Sequence, residues 1–195
     1  MAEQFSFAGF ETAATPTDRL FFAILPDTKS AAGVASLTQY LRSQYGLKGA
    51  PLQPERLHIT LCFLGDFVGQ PQAIMATACE TASSLVRPAF DVVLDRVLSF
   101  GRATGRDNPV VLCGGDGVGA LIEFRHALAV ALSKKGLGRD MHTTFMPHMT
   151  LLYDNRNVAE HDVDSVSWRA NEFALVRSVL GQGRHELIAR WPLHD

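Results

Sequence analysis

Two hydrophobic periods alternate along the chain, and the switches between them delimit its elements. Arg19 to Leu25 is a short apolar run stopped by Pro26, which predicts a strand; Asp27 or Thr28 can cap the helix that follows, running to about Tyr45. Gly46 to Glu55, with two prolines and two glycines, reads as a loop. It leads into Leu57-His58-Ile59-Thr60-Leu61-Cys62-Phe63-Leu64, where apolar and more polar positions alternate as in a half-buried strand, and Gly65-Asp66 reads as the turn after it. Pro71 to about Val86 is rich in Ala and helix-compatible, Phe90 to Phe100 returns to a β-type pattern, and Val110 to Cys113 is a short strand after a polar loop. Gly114 to Gly119 opens a helix running to about Lys135, with Leu121, Phe124, Leu128 and Leu132 on one face and Gly136 at its end. Met146 to Tyr153 reads as a strand. Two long β-type stretches, about Val163 to Leu180 and Arg184 to Pro192, are joined by Gly181-Gln182-Gly183 as a hairpin. Strands and helices in this order fit α+β better than a regular parallel repeat.

The two clearest strands carry the same tetrad, His58-Ile59-Thr60-Leu61 and His148-Met149-Thr150-Leu151, with the histidines 90 positions apart (58 to 148). Side chains alternate across a strand, so each His and the Thr two positions on share one face, about 7 Å apart, while Ile59, Leu61, Met149 and Leu151 point into a core. Brought together by two related half-domains, these strands offer two imidazoles and two hydroxyls to a group of phosphate size. Phosphodiester hydrolysis without a metal needs such a set: a base for the attacking oxygen, an acid for the leaving oxygen, and donors for the non-bridging oxygens. Histidine suits both proton transfers near neutral pH. The other histidines, 126, 142, 161, 185 and 194, lie in no such setting and read as surface or locally bonded residues.

Composition narrows the ligand. Hydrophobic residues make up 47% and charged residues 19%, as in a folded globular protein, and 18 Lys and Arg against 20 Asp and Glu leave a net charge of −2. That balance argues against a bulk electrostatic grip on long nucleic acid or an anionic membrane. Only Lys29, Lys48, Lys134 and Lys135 are lysines; the remaining cations are arginines, whose planar fork suits small phosphate or carboxylate ligands. Cys62, Cys79 and Cys113 form no disulfide or zinc pattern and point to a reducing, cytoplasmic setting. The N-terminal arm, residues 1–18, has neither a basic start nor an apolar run, which reads as no signal peptide and no membrane span. Its Phe5, Phe7 and Phe10 either pack on the body or ride on a free tail.

At the paired motifs the sequence resembles the 2H phosphoesterases, and within them the LigT-like RNA 2′,3′-cyclic phosphodiesterases, often labelled 2′-5′ RNA ligases. The resemblance runs from about Arg19 to Leu193. It rests on His58-Ile59-Thr60-Leu61-Cys62-Phe63-Leu64-Gly65 and Pro147-His148-Met149-Thr150-Leu151, supported by Leu20-Phe21-Phe22-Ala23-Ile24 and Trp191-Pro192-Leu193. It implies one bilobal domain over 19–195: two pseudo-symmetric lobes, each a mainly antiparallel sheet with helices outside, and an active-site cleft between them. It also implies that His58 is the general acid, that His148 is the general base activating water, and that Thr60 and Thr150 hold the phosphate oxygens. A terminal 2′,3′-cyclic phosphate on RNA or a nucleotide would open to a 2′-phosphate, with no metal or other cofactor. The substrate would be an RNA 3′ end or a small cyclic nucleotide, and the protein a monomer.

One position departs from that pattern. The family often has a phosphate-contacting arginine two residues after the Leu of the second motif, where this chain has Tyr153, a candidate substrate contact that brings a hydroxyl but no charge. Arg156 would compensate only if its loop folded back. Tyr153 also motivates two alternatives: a non-hydrolytic RNA- or nucleotide-binding module, or a phosphodiesterase for another cyclic or 2′-5′-linked phosphoester. Of the remaining features, Gly114 to Gly119 lacks the Lys-Ser/Thr of a phosphate loop and reads as a tight turn into a helix. Cys62 is expected on the face of His58 and Thr60, which raises a thiol nucleophile, although a buried packing role is the commoner one. Arg102 and Arg106 either touch an RNA backbone or sit in a solvated loop. No carboxylate or cysteine stands at familiar spacing to make His58 and His148 metal ligands.

Overall fold

A computed structural model describes residues 14–101, 107–138 and 145–194; Phe5, Phe7 and Phe10, Arg102, Arg106 and His142 lie outside them. The described chain runs β1 (Asp18–Ile24), α1 (Thr28–Tyr45), β2 (Ile59–Phe67), α2 (Gln72–Ser83), β3 (Phe90–Ser99), β4 (Asn108–Cys113), α3 (Gly119–Lys134), β5 (His148–Asp154), β6 (His161–Ala170), β7 (Glu172–Val179) and β8 (Arg184–Pro192). The eight strands form one sheet in the order β6-β3-β4-β5-β2-β1-β7-β8, antiparallel at every step.

That order divides into β5-β4-β3-β6 and β2-β1-β7-β8, two four-stranded halves that meet at β2 and β5. Within each half the ladders are long, but the two half-sheets are joined at β2 and β5 by a single rung, Ile59 opposite Met149. The result is an α+β fold of two lobes. One apolar cluster nevertheless runs through both: Phe22, Ile24 and Ile59 of one half and Leu94, Leu112 and Met149 of the other pack with Val34 and Leu41 of α1, Ala78 and Ala82 of α2, and Leu121, Phe124, Leu128 and Leu132 of α3. The opposite face of β1 and β7 carries only the small group Phe21, Ala23, Ala174 and Val176.

Local signals explain most boundaries. The Asp27 carboxylate accepts from the Ser30 N–H at 2.7 Å and caps α1, and Gly46 ends that helix in the left-handed conformation with its N–H on the Arg42 carbonyl. Gly114 and Gly117 are packing glycines: a Cβ on Gly114 would come 2.4 Å from the Val93 carbonyl oxygen, and one on Gly117 2.5 Å from the Val93 Cβ. The glycine-rich stretch therefore lets the turn before α3 lie flat on β3.

Three expectations are corrected. Asp18 belongs to the sheet rather than to the arm: it opens β1, and Thr17 before it donates its N–H to the Phe67 carbonyl and accepts from the Leu180 N–H. Gly65-Asp66 does not end β2, which continues to Phe67 because a register shift near Leu64 lets Asp66 face Arg19 across the ladder. The stretch from Val163 to Leu180 is two strands. It breaks at Asn171, so that β6 joins β3 at one sheet edge while β7 crosses to β1 in the other lobe. The hairpin through Gly181-Gln182-Gly183 links β7 and β8 as expected.

Candidate active site

Both motifs lie at the single rung where the lobes meet. Extending the antiparallel register from Ile59 and Met149 sets His58 towards Thr150 and Thr60 towards His148. The two histidines are thus diagonal neighbours on one face, a relation that places side chains about 7–8 Å apart. His58, Thr60, His148 and Thr150 line one cleft of about 420 Å³, together with Tyr153.

The same local device orients both rings. His58 Nδ1 lies 2.7 Å from the Arg56 carbonyl oxygen and His148 Nδ1 2.9 Å from that of Met146, each two residues back. A carbonyl only accepts, so Nδ1 carries the proton in both rings and Nε2 is the nitrogen left for chemistry. Their surroundings differ. His58 stacks on Phe21 at 4.8 Å, and burial together with the neighbouring charges of His148 and Arg56 lowers its pKa, although the Arg56 carbonyl opposes this. His148 meets the Phe100 ring edge-on at 4.8 Å.

The pseudo-symmetry continues past the tetrads. In the ladder with β1, Phe22 pairs with Cys62 and Ala23 with Thr60, leaving Leu61 as an extra residue; in the ladder of β4 with β5, Val110 pairs with Leu152 and Val111 with Thr150, leaving Leu151 extra. Each bulge adds one inward-facing residue. The carbonyl of Leu61 accepts from Arg125 Nε at 3.4 Å and that of Leu151 from the Leu52 N–H at 2.8 Å. The bulge corrects the expectation for Cys62: it lies in the core, 1% exposed, with burial pushing its thiol up to about 12, and Phe63 takes the place on the cleft face. Phe63 and Tyr153, each five residues after its histidine, stand 46% and 48% exposed at the cleft.

Three ionisable cleft residues among those described escaped the sequence reading. His185, at the start of β8, packs edge-on against His58 at 5.1 Å and Phe21 at 5.7 Å, and burial, followed by the charges of His58 and Arg56, lowers its pKa to about 4. Arg19 and Arg56 also line the cleft. None lies in a repeated motif, and β8 reaches the cleft only through a hairpin distant in sequence. Arg156 does not fold back to it; its Nη1 donates to the Tyr45 carbonyl at the end of α1. Among the described residues no group of three or more His, Cys, Asp or Glu is placed to hold a metal ion, and none of their helices is long and apolar enough to cross a membrane.

Two lobes of one antiparallel sheet, meeting at paired His-x-Thr strands, define a LigT-like 2H phosphoesterase architecture. The chain belongs to the 2′-5′ RNA ligase superfamily, whose sequence profile matches residues 25–182. Among solved structures it is similar to E. coli LigT complexed with 3′-AMP, at 26% identity and a TM-score of 0.71, over 93% of this chain and 100% of that one. It is also similar to E. coli LigT complexed with phosphate, at 26% identity and a TM-score of 0.64 over the same shares. The protein TT0787 of Thermus thermophilus, at 22% identity and a TM-score of 0.68 over 91% and 98% of the two chains, shares the fold. No curated protein sequence matches the chain significantly.

Proposed function

We propose that the protein hydrolyses a terminal 2′,3′-cyclic phosphate, on RNA or a nucleotide, to a 2′-phosphate by two-histidine acid/base catalysis without a metal. The observation that carries this is the diagonal pair of imidazoles, each held through Nδ1 and each beside the hydroxyl of the opposite strand. A phosphate between them has one imidazole on either side, the arrangement an in-line displacement requires. His148 Nε2 takes the proton of the attacking water as its oxygen bonds to phosphorus. The bond from phosphorus to the 3′-oxygen breaks, and His58 gives that oxygen its proton. Thr60 and Thr150 donate to the non-bridging oxygens; neither hydroxyl is bonded to another described residue, whereas Thr38, Thr77 and Thr81 bond helix carbonyls.

The lowered pKa of His58 fits this cycle. A phosphodiester anion beside the ring favours its charged form, so the acid gains its proton as substrate arrives. Phe63 and Tyr153 offer faces on which bases can stack, which suits a single-stranded RNA end held by aromatic contact rather than by surface charge. The phosphate and 3′-AMP in the E. coli LigT structures support a nucleotide-sized phosphoester as ligand here.

The test is an RNA ending in a 2′,3′-cyclic phosphate, followed by phosphorus NMR to read which ester opens. His58→Ala and His148→Ala are each expected to lower turnover by on the order of 10²–10⁴-fold with the fold retained. Full activity in either variant refutes the assignment. Saturable binding by the wild type without product identifies a binding module, and opening of another ester a different phosphodiesterase.

A further inference from the structure

Among the described residues two arginines line the cleft, and of these Arg19 has its charge answered. Arg19 is held by both carboxylate oxygens of Asp66, at 2.8 and 2.9 Å, with its guanidinium 5.4 Å from the centroid of the Phe63 ring. Arg56, two residues before His58, pairs with no carboxylate among the described residues, and its Nε is buried without a hydrogen-bond partner. The β7–β8 turn frames it: a Cβ added at Gly183 would lie 3.5 Å from Nη1. A guanidinium cannot shed its proton, so burying part of one without a counter-ion costs solvation free energy that an arriving anion offsets.

The repeat makes this charge informative. The position equivalent to Arg56 in the second motif is Met146, which likewise gives its carbonyl to the histidine two residues on but brings no cation. Arg56 is therefore not part of what orients a histidine, because the backbone alone does that on both sides. It is an addition to one side, next to His58 and His185, whose own protonation is disfavoured by burial first and by the Arg56 charge as well.

We propose that Arg56 is an anion-binding residue of the cleft: its guanidinium, framed by the Gly183 turn and the His58–His185 pair, takes oxygens of a ligand phosphate. This rests on the phosphodiesterase reading only in placing a phosphoester in the cleft. The phosphate is either the reacting one or the next along an RNA chain, and Arg56 supplies the charge that Tyr153 does not.

Binding of inorganic phosphate, of adenosine 2′-phosphate and of a short RNA ending in a 2′-phosphate, measured by calorimetry, tests this without turnover. Arg56→Gln is expected to weaken binding by on the order of tenfold, the worth of a charge-assisted contact, and to flatten its salt dependence, while Arg87→Gln on the exposed surface changes neither. An equal loss for mononucleotide and RNA assigns Arg56 to the terminal phosphate; a loss confined to the RNA assigns it to the next one. Wild-type affinity of folded Arg56→Gln for all three ligands overturns the proposal. Should that variant not fold, Arg56→Met, which keeps an apolar stem and removes the charge, is expected to weaken binding by the same order, and undiminished affinity there overturns the proposal equally. Arg56-dependent binding in a protein that cleaves no cyclic phosphate leaves this proposal standing and removes the phosphodiesterase reading instead.

Discussion

At the scale of single residues, small positional facts decide which groups can react. Cys62 is four residues from His58 and, by strict alternation, would share its face; the extra residue Leu61 turns it inward, where burial keeps the thiol protonated at neutral pH. Cys62→Ala is therefore expected to keep wild-type turnover while losing about 1 kcal/mol of stability, read by denaturant unfolding. A collapse of activity in a folded Cys62→Ala protein would count against the two-histidine chemistry. The bulge had a visible trace in the sequence, since Leu61-Cys62 and Leu151-Leu152 both interrupt the alternation with adjacent apolar residues. The meeting of His58, Thr60, His148 and Thr150 in one cleft was legible because a repeat exposes them. His185 and Arg56 were not, because what places them in the cleft is pairing between strands far apart in the chain.

Among the elements, β5 does more than carry a histidine. Its last residue, Asp154, is buried and receives the N–H groups of Lys48, Gly49 and Arg156 at 2.5, 2.7 and 2.8 Å, and with the Leu52–Leu151 bond this pins the loop before β2 onto β5. The loop also needs its glycine, since a Cβ on Gly49 would fall 2.0 Å from the Tyr153 carbonyl oxygen. Burial alone would raise the Asp154 carboxyl, but the three N–H donors outweigh it and hold the group below the usual carboxylate range. The stabilisation is thus present above the ordinary carboxylate pKa and is lost as pH falls through the lowered one. Asp154→Asn is expected to cost about 1–3 kcal/mol in denaturant unfolding at neutral pH, because one buried acceptor for three donors is replaced by a weaker one. The boundaries of α1 were readable from Asp27 and Gly46, which act locally. The split of β6 from β7 was not, because both halves have strand composition and only tertiary pairing separates them.

For the whole molecule, the paired motifs led to an expectation of two related half-domains. The sheet answers with two lobes over one shared apolar cluster, so the halves are related in pattern but fold on common ground. That unity makes the cleft part of the stability balance. His58 and His185 are half-buried and their protonation is disfavoured in the folded chain, so the unfolded chain binds more protons than the native one as pH falls below the ordinary histidine value of 6.5. Stability is expected to decline from about pH 6.5 towards the lowered value of about 4 at His185. His185→Gln should show a smaller decline than the wild type over that window in urea unfolding at a series of pH values; an identical decline would remove His185 as a contributor.

The pairing of the lobes through one rung has a consequence for regiochemistry. An approximate two-fold relation passing between Ile59 and Met149 would present the two ester oxygens of a cyclic phosphate with equivalent surroundings, and such a centre has no reason to release one in preference to the other. Direction must come from what the repeat does not copy. Among the described residues those groups are Phe21, His185 and Arg56 around His58, against the edge of Phe100 and the uncharged Met146 beside His148. In the proposed reaction the duplicated strands would supply the means of cutting, and the unduplicated shell would choose which bond is cut.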